Sequence, residues 1–150
     1  MDPIAITRAE VTDIAHAIQL SVGPVFLLSG IGVFLNVLTS RLARVVDRAR
    51  PMEERYKTAG IDEAADLRER LRVMSRRARH INRAITLSTT AALAVSLVVV
   101  LLFSATFAHF SLAVPVSLLF VGAMLLLVGA LLSFLVEIRI AIDALRIGPG

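Results

Sequence analysis

Three long runs of apolar residues organise the chain. Ile14 to Thr39, Ala84 to Ala108 and Leu112 to Val136 carry no formal charge when His16 is neutral. A helix crossing a bilayer needs roughly 20 apolar residues, and each run meets that requirement. The second and third runs are separated only by His109, Phe110 and Ser111, which predicts a tight helical hairpin turning near His109. Pro115, one turn into the third run, suits the start of a helix.

Between the first and second runs the pattern changes from continuous to periodic. Leu35, Leu38, Leu42, Val45, Ala49, Met52 and Tyr56 form one stripe, and Leu67, Leu71, Met74, Ala78, Ile81 and Ile85 form another. Both step by three and four residues, the seam that lets two helices pack side by side. The spacing predicts that the first and second membrane helices extend into a two-helix stalk. Glu53 with Lys57 and Asp66 with Arg70 stand at favourable i,i+4 spacing on its surface.

Local signals place the ends. Thr7-Arg8-Ala9-Glu10 reads as a capping box with Ile6 and Val11 as its staple. From there the first helix is expected to run to about Arg50, roughly 65 Å at 1.5 Å per residue, with Pro24 inside it. Pro51 is expected to end or bend it, Thr58-Ala59-Gly60 to form the turn, and Asp62 to cap the next helix.

Charge then sets the orientation. Of the 16 basic residues, 13 fall between Arg41 and Arg83. Basic loops stay in the cytoplasm, and the seven acidic residues in the same segment count little for topology. The expected arrangement is a cytoplasmic hairpin, with the N-terminus and the turn near His109 outside and the C-terminus inside. Asp2, Glu10 and Asp13 against Arg8 give the wrong sign for a secretory leader, so no cleaved signal peptide is expected.

Composition agrees with that picture. The 150 residues are 57% hydrophobic, with a mean hydropathy of +0.79. The net charge of +4 would suggest nucleic acid in a soluble protein, but here topology explains the basic residues, and no nucleic-acid partner is expected. Cysteine is absent, which removes disulfides and thiolate chemistry. One unit over residues 1–150 is expected, with spans at about 14–39, 84–108 and 112–136 and the hairpin at about 41–83.

Candidate function resides mainly on the first helix. At 100° per residue Thr12, His16, Gln19, Gly23, Phe26, Gly30, Val33, Val37, Arg41, Arg44 and Arg48 fall within about 100° of arc. The stripe is polar at one end, small and apolar in the middle and basic at the other. Several copies around an axis would make a pore with a dewetting constriction and an arginine vestibule. Equally, any helix crossing inward ends in arginines, and its glycines serve packing.

A second arc, Ser29, Gly32, Asn36, Thr39 and Ala43, suits close approach of helices, with Ser29 and Asn36 as polar packing residues. Ser88, Ala92 and Ser96 repeat the theme in the second span, and Gly122, Gly129 and Ser133 in the third. Asp13, His16 and Gln19 could ring an outer mouth, but two ligands without a second motif define no metal site. Arg76, Arg77, Arg79, His80 and Arg83 cluster before the second span, where such groups attract anionic lipid headgroups. Glu137, at the inner end of the third span, needs a basic partner, and Arg83 or Arg139 are the candidates. There is no positioned nucleophile, phosphate loop or HExxH, so neither enzymatic activity nor a cofactor or metal is expected.

Several segments resemble a known family. They are Ile18-Gln19-Leu20, Pro24 to Leu28, Gly30-Ile31-Gly32, Leu35 to Leu38, Arg41 to Arg50, Arg76-Arg77, Ile81 to Ile85 and Glu137. Together they are similar to a bacterial membrane-protein family, domain of unknown function 2721. That resemblance implies a small multi-pass protein of the bacterial inner membrane and implies no activity. The reading is therefore an all-α, three-span membrane protein whose partners are the bilayer, anionic lipids and further copies of itself. The leading functional expectation is a homo-oligomeric ion-conducting pore lined by the first helix. The alternative is a non-conducting scaffold or partner subunit acting through the hairpin.

Overall fold

The computed structural model describes residues 3–108 and 113–143, with side chains described for 11–12, 14–105 and 113–142. The chain folds as helix α1 (Pro3–Thr58), helix α2 (Ile61–Ala108) and helix α3 (Ala113–Asp143), and the described residues contain no strand. All three helices are long and apolar enough to cross a membrane. The turn expected near His109 lies outside the described residues.

Four local expectations are corrected. Helix α1 begins at Pro3, so Thr7 lies inside the helix instead of capping it; proline suits a first helical position because its missing N–H would be unpaired there anyway. The side chains of that capping box lie outside the described ones. Helix α1 also continues through Pro51 to Thr58, past the stop expected near Arg50. Pro51 deprives the Asp47 carbonyl of its helical donor, but this stretch is exposed, so water can take the donor's place. Only Ala59 and Gly60 connect α1 to α2. The Ala64 N–H donates to the Gly60 carbonyl at 2.8 Å, so Gly60 holds the cap and Asp62 sits in the first turn. There its carboxylate favours the positive helix end.

The chain divides into two compact units: Met1–Val33 with Thr89–Leu127, and Phe34–Ser88 with Val128–Gly150. In the first, the buried positions are Ala17, Ser21, Pro24, Ile31, Ala91, Val95, Val98 and Ala123. Half are alanine or serine, and in α1 and α2 they recur at three-, four- or seven-residue steps, so each of these two helices turns one narrow face inward. The many exposed large apolar residues, Phe26, Val33, Leu93, Val114, Leu118 and Leu125 among them, point outward. Polar residues such as Gln19, Ser29 and Ser96 also stand exposed, but large apolar side chains dominate the outer face, as suits helices long and apolar enough to cross a membrane.

In the second unit Leu38, Val45, Ile81 and Ala84 form a buried cluster, with Phe34, Leu42, Met74, Ala78, Ile85 and Phe134 packed on it. Apart from Ala84 and the two phenylalanines, these are the seam residues that the three-four stepping selects. Farther along the hairpin Leu67 is also buried, whereas Tyr56 is exposed. Asp66 and Arg70 pair at 3.0 Å; Glu53 and Lys57 do not feature among the described ion pairs.

Hydroxyls within the apolar stretches bond back to their own helix. Ser21 donates to the Ala17 carbonyl at 2.7 Å, Ser96 to Ala92 at 2.9 Å and Ser133 to Gly129 at 2.9 Å. Ser88 breaks the pattern: its Oγ is fully buried without a hydrogen-bond partner.

Candidate functional site

The seven-residue series Ala123, Ala130, Glu137 on α3 explains where the chemistry collects. A repeat of seven keeps one face inward, and its third member is a carboxylate with 0% exposure. Burying a charge is costly unless it is paired and hydrogen-bonded. Two arginines do this. Arg41 Nη1 donates to Glu137 Oε2 at 2.8 Å. Arg77 donates to Oε1 from Nε at 3.2 Å and from Nη2 at 2.9 Å. All three helices thus meet at one carboxylate.

Aromatic packing completes the cluster. The Arg41 guanidinium lies over the Phe134 ring, 5.1 Å from its centre, and a partly desolvated contact of this kind contributes about 0.5–2 kcal/mol. Phe134 stands one turn before Glu137 and meets Phe34 edge-on, with ring centres 5.5 Å apart. The arginine is held by charge on one side and by a ring face on the other.

The partners of Glu137 differ from the expected Arg83 and Arg139, and helix phase gives the reason. Arg139 lies two residues from Glu137 on the same helix, and residues two apart do not face one another. Arg83 lies two residues from the buried Ile81 and is exposed. Arg41 lies between the buried Leu38 and Val45, and Arg77 one turn before Ile81, so both share the inward face.

The remaining predicted residues fall elsewhere. His16, Gln19, Gly23, Phe26, Gly30, Val33 and Val37 are all exposed, Phe26 at 74% and Val33 at 68%. Arg44 and Arg48 are exposed as well, whereas Arg41 is part-buried against Glu137. The Asp13 side chain lies outside the described ones. Ser29 and Asn36 are exposed, and Ser29 donates to the Val25 carbonyl at 3.3 Å. Of the basic group before the second apolar run, Arg76, Arg79 and Arg83 are exposed and line an open pocket with His80. Arg77 leaves that group to join Glu137.

A smaller groove of about 200 Å³ opens beside the buried cluster, lined by Arg41, Arg44, Val45, Arg48, Met74, Arg77 and Ala141. A larger open groove of about 1010 Å³ follows the α1–α2 hairpin. Its floor includes Val45, Ala49, Leu71 and Met74, and its rim Arg50, Glu53, Arg68, Glu69 and Arg72.

Three helices, each long and apolar enough to cross a membrane and joined at a buried carboxylate, make up the described residues. The chain belongs to the family described as protein of unknown function (DUF2721), which it matches over residues 21–147. That stretch contains Arg41, Arg77 and Glu137. No curated protein and no solved structure matches the chain.

Proposed function

We propose that this is a multi-pass protein of the bacterial inner membrane, with its N-terminus outside and its α1–α2 hairpin in the cytoplasm, that serves as a non-conducting scaffold or partner subunit. The hairpin is its working surface. The observation that carries this reading is the tie of Arg41 and Arg77 to Glu137. A scaffold needs helices held firmly together at the base of its hairpin, and one carboxylate gripped by two helices supplies such a joint. Beyond the joint, the large hairpin groove combines an apolar floor with a rim of both charge signs, the anatomy of a protein-binding surface.

A pore lined by α1 is the second reading. It is favoured by the exposure of the whole stripe from His16 to Val37, which further copies of the chain would cover in a homo-oligomer. It loses support at the basic end. A vestibule built on Arg41, Arg44 and Arg48 would need Arg41 turned to the axis, and Arg41 is bound to Glu137.

Ion flux from liposomes separates the two. Wild type, Val33→Ser and Val37→Ser are compared, because the serines would wet a constriction. The scaffold reading expects no flux in any of them, together with a discrete photo-crosslinked partner in cells from probes at Glu69 and Arg72. Flux that rises in the serine variants would replace the scaffold by the pore. The chain lacks cysteine, so Ala59→Cys at the hairpin tip gives a single label site. Labelling only from the cytoplasmic face is the expected result for the orientation.

A further inference from the structure

We propose that the groove between Arg41, Arg44 and Arg48 on α1 and Arg77 on α2 is a binding site for a phosphate-type anion. Four guanidinium groups line it, and the adjoining Glu137 carboxylate is the one acidic group bound to any of them among the described ion pairs. Four positive charges against one negative leave three in excess at one small site. Arg44 and Arg48 have no carboxylate partner among those ion pairs.

Spacing and support make this more than a basic surface. Arg41, Arg44 and Arg48 step by three and four along α1, so their side chains share one face. Arg41 and Arg77 are fixed by Glu137, which leaves their other N–H groups directed by the carboxylate and not by solvent. Guanidinium forks match phosphate oxygens in pairs, and a fork already held loses less freedom on binding. The groove's volume of about 200 Å³ has room for several waters, which suits a headgroup-sized anion. The groove begins where the first apolar run ends, at the depth where the phosphate of an anionic lipid would lie if the helices cross a bilayer as proposed above. The same chemistry would hold a free phosphate.

The test uses the full chain in detergent. Native mass spectrometry follows binding of phosphatidic acid and phosphatidylglycerol, with phosphatidylcholine as the zwitterionic reference, and calorimetry follows inorganic phosphate alone. Arg44→Gln with Arg48→Gln empties the groove's outer half without touching Glu137. Arg76→Gln with Arg79→Gln removes the same charge from the neighbouring basic cluster. The expected result is an affinity loss of about tenfold in the first pair and less than about twofold in the second, the tenfold reflecting lost charge-assisted hydrogen bonds. Lipid binding without phosphate binding identifies a headgroup site, and phosphate binding with the same variant dependence identifies a free-anion site. Equal losses in the two pairs, no loss in the first, or no binding of either probe would overturn the proposal. None of these outcomes depends on whether the protein conducts.

Discussion

The two compact units solve the packing of apolar helices in different ways. Met1–Val33 with Thr89–Leu127 buries alanine and serine at Ala17, Ser21, Ala91 and Ala123 beside Ile31, Val95 and Val98, and exposes many other large apolar side chains. Phe34–Ser88 with Val128–Gly150 buries Leu38, Val45, Leu67 and Ile81, and adds a charged cluster. In lipid, turning a leucine inward gains nothing from water, so close backbone approach and hydrogen bonds hold helices together. Where water competes, large apolar burial contributes about 25 cal/mol per Å². Under the membrane placement proposed above, the alanine and serine share of the first unit's core suits lipid, and the leucine-bearing core of the second suits water. The arginine-bound carboxylate lies in the unit built the second way.

Breaking the charged cluster should have the largest effect. Glu137→Ala leaves two guanidinium groups without their counter-charge; a fully buried orphaned charge costs about 3–5 kcal/mol, and the partial exposure of Arg41 and Arg77 brings the expected loss below that range. Thermal unfolding in detergent should show a large drop in Tm, and an unchanged Tm would mean that the cluster contributes no net stability. Within the cluster the two arginines should differ. Arg77 makes two of the three hydrogen bonds and is 22% exposed, whereas Arg41 makes one and is 37% exposed. Arg77→Met should therefore destabilise more than Arg41→Met, with the reverse order pointing to the Phe134 contact as the stronger hold on Arg41.

The cores come next. Leu38→Ala opens a cavity in the large-residue cluster and should cost about 2–5 kcal/mol. Ala123→Leu, in the small-residue unit, should fail for the opposite reason, overpacking, at about 1–3 kcal/mol. Val33→Ser changes an exposed side chain and should leave Tm nearly as it is. If Ala123→Leu is tolerated as easily as Val33→Ser, then close approach is not what packs that unit.

Much of this was legible in the residues. The three apolar runs gave three helices, and the three-four stripes through Leu38, Leu42 and Val45 and through Met74, Ala78 and Ile81 gave the seam of the hairpin. Helix ends were read less well, because Thr7, Pro51 and Asp62 carry signals that the continuing helix or a neighbouring glycine overrides. Glu137 stood out as a lone carboxylate after an apolar run, yet its partners lie 96 and 60 residues away in sequence. Helix phase held the missing information: the Ala123, Ala130, Glu137 series points inward, and only arginines on the seam can reach it. The stripe from His16 to Val37 is a different case. Its function depends on what covers it, and a single chain carries no signal for that.

The smallest effects test whether those exposed faces are covered at all. Ser88→Ala removes a buried hydroxyl that has no partner, and an unsatisfied buried group of that kind costs about 1–3 kcal/mol, so the variant should be as stable as wild type or more so. Gly129 and Gly122 sharpen the question. A Cβ on Gly129 would meet Leu87 Cδ1 at 3.4 Å, an ordinary contact, and one on Gly122 would meet nothing within 4 Å. Within one chain, both alanine variants should gain up to about 1 kcal/mol of helix propensity. Should Gly122→Ala instead lower stability or dissociate an oligomer on size exclusion, then a helix of another copy approaches that glycine, because nothing among the described residues stands within 4 Å of the added Cβ.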